Sequence, residues 1–294
     1  MQIIIMVLLL MDIILQIIYS ILVGIVQGIS EWLPISSKTQ VLIASHYLLN
    51  LTVSEAYSFG LFMEIGTTFA AVIYFRKEIL ILVKVLRLQG TDLENDLFKF
   101  VFIATLVTGI VAVPLYLIAD SIPNIAIGIP MILIGLVLIG DTIFINYSRN
   151  KSGETKVFKT FKNLTIKDYI IIGFVQGIAA LPGVSRSGIT TSTMLLMDVD
   201  PEECFRLSFL IGIFASIGAF GVTLLFSKSK ISVAISAIGI FGLIIAIITA
   251  TIISLFLIDF LIKIASKSEI IYLTSGLGII AIFFGIIILL FYTF

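Results

Sequence analysis

Six apolar stretches of roughly twenty residues each, about the length a helix needs to cross a bilayer, govern what this chain can fold into. They run near Glu55 to Phe75, Leu97 to Ile118, Asn124 to Ile145, Cys204 to Phe226, Ser232 to Ile258 and Ile270 to Tyr292. A soluble fold of this length would need a polar skin, whereas a bilayer accepts apolar side chains on the outside of helices. Composition decides between them: of 294 residues, 60% are hydrophobic and only 12% charged, with a mean hydropathy of +1.22. Soluble domains carry about a quarter charged residues. The expectation is an all-α polytopic protein of the plasma membrane, one integral domain over residues 1–294.

The same inventory removes several function classes. Formal net charge is zero, so no global basic field speaks for nucleic acid. A single cysteine, Cys204, excludes an internal disulfide and Cys-based zinc clusters, and a single histidine, His46, excludes zinc sites built on two or three His ligands. Met1 to Val23 is apolar without a basic lead, and Gly24 to Glu31 offers no signal-peptidase site, so no cleaved signal is expected. A second plausible opening, MDIILQ from Met11, makes the first ten residues a candidate upstream extension.

The connectors orient the bundle. Arg76, Lys77, Lys84 and Arg87 fill the first, and Arg149, Lys151, Lys156, Lys159, Lys162 and Lys167 the one after the third span. The turn between, Ala119 to Pro123, carries only Asp120. The positive-inside rule therefore places connectors 76–96 and 146–167 in the cytoplasm. Lys228 and Lys230 then fall outside and Lys263 and Lys267 inside, so orientation depends on the first half.

Two further segments, Ile13 to Leu49 and Asp168 to Met197, are apolar yet broken by glycine, proline and polar residues. Non-helical backbone at membrane depth survives only when buried in protein or lining a wet cavity, so these are expected to be re-entrant helical hairpins. They also resemble each other: GIVQGISEWLPISSKTQ, from Gly24 to Gln40, stands against GFVQGIAALPGVSRSGIT, from Gly173 to Thr190. VQGI recurs verbatim, then a Leu-Pro pair shifted by one residue, then a Ser-rich turn. Each copy is followed by three spans, an odd number, which predicts an inverted-topology repeat of about 11–145 and 168–292 with a polar site where the broken helices meet.

Within the second hairpin, Arg186 sits in an otherwise apolar stretch with Gly183, Ser185, Ser187, Gly188 and Thr190. An intramembrane arginine is costly enough that function is the default reading, and its fork of donors suits phosphate or carboxylate. Glycines would admit an anion to backbone amides, with a helix N-terminus behind them. Snorkelling is the bland alternative, but it works near helix ends. The first hairpin supplies Glu31, with Gln27 one turn earlier and Ser30, Ser36 and Ser37 nearby. Glu31 suits a general base or a ligand to a divalent cation; a plain salt bridge to Arg186 is its structural alternative. Glu64, mid-span beside Thr67 and Thr68, belongs in the same cavity or hydrogen-bonds a broken helix.

At these residues the chain resembles the undecaprenyl-pyrophosphate phosphatase family, known for bacitracin resistance. That family carries Glu/Gln-x-x-x-Glu followed by Leu-Pro-x-Ser-Ser, and later Pro-Gly-x-Ser-Arg-Ser-Gly-x-Thr. Gln27, Glu31, Leu33, Pro34, Ser36 and Ser37 match the first; Pro182, Gly183, Ser185, Arg186, Ser187, Gly188 and Thr190 match the second without a gap. The resemblance implies hydrolysis of a C55-type polyprenyl diphosphate to the monophosphate, recycling the lipid carrier for envelope glycans with a divalent metal, Mg or Ca. It implies Glu31, Ser37 and Arg186 as catalytic residues, with Glu31 also as metal ligand. Gln27, Ser36, Gly183, Ser185, Ser187, Gly188 and Thr190 are implied at the substrate, and Glu64 joins them by its mid-span position. The expected partners are the polyprenyl diphosphate, the membrane and a second copy of the chain as a homodimer. One departure stands out: where the family continues Thr-Gly-His, this chain reads Lys38, Thr39, Gln40. Glutamine cannot shuttle a proton, so Glu31 becomes the expected base for Ser37 or a water. Lys38 either adds charge near the phosphates or replaces a small residue, and His46 is read as a satisfied or interfacial histidine.

Two other functions use the same residues without hydrolysis: a polyprenyl-phosphate flippase and an ion-coupled small-anion carrier. The sequons at Asn50, Asn146 and Asn163 are common by chance and carry no weight.

Overall fold

The computed structural model describes residues 2–121, 128–152, 158–265 and 270–291; of these, the side chains at 2–10, 120, 121, 128, 130, 141, 144–152, 270, 271 and 273 are not described. The expectations for the Ala119 to Pro123 turn beyond Ala119, the side chains of Arg149 and Lys151, the residues Lys156 and Lys267, and the Asn146 sequon fall outside those bounds. Along the chain come α1 (Gln2–Ser30), α2 (Ser37–Leu49), α3 (Val53–Tyr74), α4 (Arg76–Leu86), α5 (Asp92–Ser121), α6 (Gly128–Ser152), α7 (Ile166–Ile178), α8 (Arg186–Leu196), α9 (Pro201–Phe226), α10 (Lys228–Ile238), α11 (Ile240–Ala265) and α12 (Ile270–Phe291). No strand occurs among the described residues; a single bridge joins Lys159 to Val199. The all-α polytopic class is therefore correct.

Local chemistry sets several boundaries. Thr52 and Glu55 form a capping box that starts α3, and the left-handed Asn50 ends α2 just before it. Asp200 caps α9 with Pro201 in its first turn, where a missing N–H is harmless.

Six helices are long and apolar enough to cross a membrane: Met11–Ser30, Val53–Tyr74, Asp92–Ala119, Pro201–Phe226, Ile240–Ala265 and Thr274–Phe291. Five coincide with expected spans. The expected span from Asn124 lies in α6, of which Met131–Gly140 is described as an apolar helix. The sixth is a correction: the first broken segment opens with a full-length helix, because nothing between Gln2 and Ser30 breaks it. Gly24 and Gly28 are tolerated there since both face α11. By contrast α7 and α8, with 13 and 11 residues, reach only about 20 and 17 Å, short of a hydrocarbon core of about 30 Å.

Packing between the halves is reciprocal. α1 lies on α11 and α7 on α5, α6 pairs with α12 and α3 with α9; within the halves, α2 packs on α3 and α8 on α9. The repeated glycines explain the first two pairs. A Cβ on Gly24 or Gly28 would meet the carbonyls of Ala246 and Ala250 at 2.5 and 2.9 Å, and one on Gly173 would meet that of Ala104 at 2.5 Å. Lipid provides no hydrophobic drive between helices, so such close backbone approach is what holds them together. Thr108 on α5 donates to the carbonyl of Gly173 (3.0 Å), and Ser254 on α11 to that of Gly28 (3.3 Å), so a hydroxyl bonds a glycine carbonyl at each seam. α3 is the most enclosed of the crossing helices, which brings Glu64 to the middle of the molecule.

Candidate active site

The tips of the two broken segments meet. Ser36 turns the chain at φ 57°, a conformation rare for a residue with a side chain, and α2 begins immediately after it. Opposite, the Ser185 hydroxyl caps α8 by accepting from the Gly188 amide, and it donates to the carbonyl of Leu33 at 3.2 Å. Ser187 Oγ lies 3.3 Å from the carbonyl of Glu31. The Gly183 amide donates to Thr39 Oγ1 at 3.0 Å, and Gly188 presses on Pro34, where a Cβ would sit 2.9 Å from the proline Cβ. Trp32 seals the joint edge-on against Phe209, with ring centroids 4.8 Å apart.

This joint presents a buried polar network. Glu31 accepts from Arg186 Nη2 (2.6 Å) through Oε1, and from Gln27 Nε2 (2.9 Å) and Ser37 Oγ (2.6 Å) through Oε2. Arg186 Nη1 donates to Ser216 Oγ at 3.0 Å and to the carbonyl of Gly212, while Ser216 donates to Glu64 Oε2 at 2.7 Å. Gln27, Glu31, Ser37, Glu64 and Arg186, five of the residues singled out in the sequence, thus share one chain of contacts. The Glu31–Arg186 pair, with side chains 3% and 10% exposed, is a buried ion pair. Its attraction offsets desolvation only because further hydrogen bonds satisfy both groups.

Arg186 retains binding capacity. A guanidinium has five N–H donors; Nη1 uses both of its own and Nη2 one, which leaves Nε–H and one Nη2 hydrogen for an anion.

Other expected site residues have different occupations. Ser185, Ser187, Gly183 and Gly188 form the joint between the tips. Thr190 Oγ1 donates to the carbonyl of Arg186 at 2.8 Å and shares a 2.5 Å contact with Ser208. Ser36 Oγ accepts from Thr39 at 3.2 Å. Gln40, where the family has histidine, donates to the carbonyl of Ile35 at 3.0 Å and pins the turn. His46 bonds the carbonyl of Leu51 at 2.6 Å, as a satisfied histidine does.

Two residues went unnoticed in the sequence. Gly212 and Ser216, one turn apart on α9, form the shelf under the guanidinium; a Cβ on Gly212 would stand 2.7 Å from Arg186 Cζ. Their spacing in LIGIFASIG was the available signal, since residues four apart share a helix face.

A cleft opens from this network. Lys38, Glu64 and Arg186 lie at its polar end with Gln176 and Thr105; Gly109, Ala112, Val113 and Tyr116 of α5 and Phe214, Ala215, Gly218 and Val222 of α9 form its walls. A divalent ion finds no cluster of three or more His, Cys, Asp or Glu among the described residues. The oxygen donors nonetheless suit Mg or Ca when phosphate completes the shell: Glu31 and Glu64 are joined by Gln27, whose buried Oε1 has no hydrogen-bond partner.

Comparison with known proteins is consistent with this geometry. The family model described as Bacitracin resistance protein BacA matches residues 20–287. The undecaprenyl-diphosphatase of Sulfurisphaera tokodaii is 49% identical over 266 residues, 90% of this chain and 95% of the relative. That of Saccharolobus solfataricus is 50% identical over 262 residues, covering 89% and 92%, and that of Pyrobaculum aerophilum 35% identical over 269 residues, covering 90% and 96%.

Proposed function

We infer that this chain, which belongs to the bacitracin resistance protein BacA family, is a multi-pass membrane undecaprenyl-diphosphatase: it hydrolyses undecaprenyl diphosphate to the monophosphate and inorganic phosphate, and so recycles the lipid carrier. The observation that carries the chemistry is the 2.6 Å contact of Ser37 Oγ with Glu31 Oε2, on the carboxylate whose other oxygen holds Arg186. A flippase needs the cation but has no use for a hydroxyl aimed at a base.

In the reaction we propose, Glu31 takes the Ser37 proton as Oγ attacks the terminal phosphorus. The bond to the bridging oxygen breaks and the prenyl monophosphate leaves, taking a proton from the site. Water then hydrolyses the phosphoserine, releasing phosphate and restoring Ser37. The two spare donors of Arg186 meet the charge spread over the equatorial oxygens, where positioning and electrostatics do most of the catalytic work. A divalent ion held by Gln27 Oε1, Glu31 and Glu64 would neutralise phosphate charge. The small-residue walls of the cleft admit the prenyl chain.

Orientation follows the basic connectors. Arg206 at the start of α9 pairs with Glu78 of α4 (2.7 Å), and Glu203 accepts from the amide of Phe161, so the described parts of both connectors gather at one end. We place that end in the cytoplasm. The cleft runs along α9 from Phe214 to Val222, away from Pro201, and therefore opens toward the outer leaflet. The two halves cross the bilayer in opposite senses on this reading.

The test is phosphate release from a short-chain prenyl diphosphate by purified protein, with a divalent cation and with a chelator. Release that the chelator stops supports both enzyme and metal. Retained lipid binding without release would transfer the protein to the flippases.

A further inference from the structure

One charged group in the cleft has no counterpart in the chemistry above. Lys38 is 4% exposed, lines the cleft beside Glu64 and Arg186, and makes no hydrogen bond or ion pair among the described residues. Its electrostatic neighbours are Glu64, Glu31 and Arg186. An ammonium in that setting has lost water and gained no direct partner, an arrangement so costly that structure alone does not account for it.

Its place in the repeat identifies the partner. From the Leu-Pro pair onward the halves align as Pro34-Ile-Ser-Ser-Lys38 against Pro182-Gly-Val-Ser-Arg186. Ser37 matches Ser185, and Lys38 matches Arg186. Both cations stand in the first turn of the short helix after the break, α2 and α8. Gly60 of α3 receives the Lys38 backbone, since a Cβ there would stand 3.0 Å from its carbonyl. That contact holds the root of the side chain beside Leu61 and Glu64, in the lining of the cleft.

We propose that Lys38 is a second phosphate-binding residue: its ammonium takes an oxygen of the substrate diphosphate from the first half while Arg186 takes another from the second. Charge supports the assignment. Glu31 and Glu64 formally balance Lys38 and Arg186, so an incoming diphosphate meets one cation anchored by protein with two donors left over and one with no direct protein partner among the described residues. A compact ammonium with three rotatable donors adapts to a phosphate group that moves during transfer, whereas the guanidinium fork beside it is fixed.

This inference depends on the hydrolase reading, and the experiment separates the two. The probe is geranylgeranyl methylenediphosphonate, which cannot be cleaved, with geranylgeraniol as its uncharged control. Binding to full-length protein in detergent is measured by titration calorimetry for wild type, Lys38→Met and Lys38→Arg, with thermal unfolding followed alongside. Loss of a charge-assisted hydrogen bond should weaken diphosphonate binding by Lys38→Met roughly 10- to 100-fold. Lys38→Arg should recover most of it, and geranylgeraniol should bind all three alike. Should Lys38→Met fail to fold, Lys38→Gln carries the same comparison. Diphosphonate affinity within about twofold of wild type, or an equal loss for geranylgeraniol, overturns the proposal. Wild type that neither binds the diphosphonate nor cleaves the diphosphate overturns the hydrolase reading instead.

Discussion

Substituting Gly212 by alanine separates the geometry of Arg186 from its mere presence. The added Cβ would lie 2.7 Å from Arg186 Cζ and 2.9 Å from Nη2. Ordinary contact begins near 3.5 Å and Nη1 lies closer still than Cζ, so the guanidinium must retreat by about 1 Å. The obstructed atoms end a flexible side chain, which makes the move cheap for the fold. Alanine also gains about 1 kcal/mol over glycine in a helix interior, offsetting part of the strain. Function has no such latitude. Retreat stretches the bonds to Ser216 and Glu31, now 3.0 and 2.6 Å, and carries the two spare donors off the phosphate. A misplacement near 1 Å costs on the order of 100-fold in rate, about 2.7 kcal/mol of transition-state stabilisation. Steady-state phosphate release from a prenyl diphosphate, read as kcat/KM beside a thermal melt, should show a roughly 100-fold loss with an almost unchanged Tm. Activity within about threefold of wild type would mean that Arg186 does not work from the shelf Gly212 provides, and the site geometry would have to be redrawn.

Three further outcomes follow from the same contacts. Ser37→Ala should cut phosphate release by about 10³-fold or more while diphosphonate binding persists; a loss under about tenfold, measured in the same assay, would hand the nucleophile's role to water. Gln40→Ala removes only the bond to Ile35, so the melt should report about 0.5–1.5 kcal/mol of lost stability with kcat nearly constant, and a collapse of kcat would place Gln40 in the chemistry. Gly28→Ala drives a Cβ to 2.8 Å from Ile253 Cβ and 2.9 Å from the Ala250 carbonyl on α11, neither of which yields easily. It should destabilise the protein by about 1–3 kcal/mol in a denaturant titration in detergent, and an unchanged midpoint would contradict the close packing of that seam.

What could be read in advance was whatever lipid penalises. A carboxylate, a guanidinium or an amide in an apolar run is conspicuous because hydrocarbon cannot satisfy it, and so Gln27, Glu31, Glu64 and Arg186 were legible from type and position alone. Their convergence was legible from VQGI, because a repeated break at membrane depth implies two tips with something to share. The glycine shelf was not legible, since a missing side chain pays no penalty in lipid; Gly212 matters only because another residue's guanidinium occupies the volume its Cβ would need. For the same reason the length of α1 was misjudged. Gly24 and Gly28 looked like breakers by composition, yet facing the Ala246 and Ala250 carbonyls they are the surface by which α1 packs, and the helix runs on to Ser30. The hydroxyls of Ser185, Ser187 and Thr190 show the complementary limit. A sequence announces that they must bond, but only the fold decides that they bond the opposite tip, the Arg186 carbonyl and α9, and so the residues nearest the arginine in sequence hold it while those far away, Gly212 and Ser216, shape where it points.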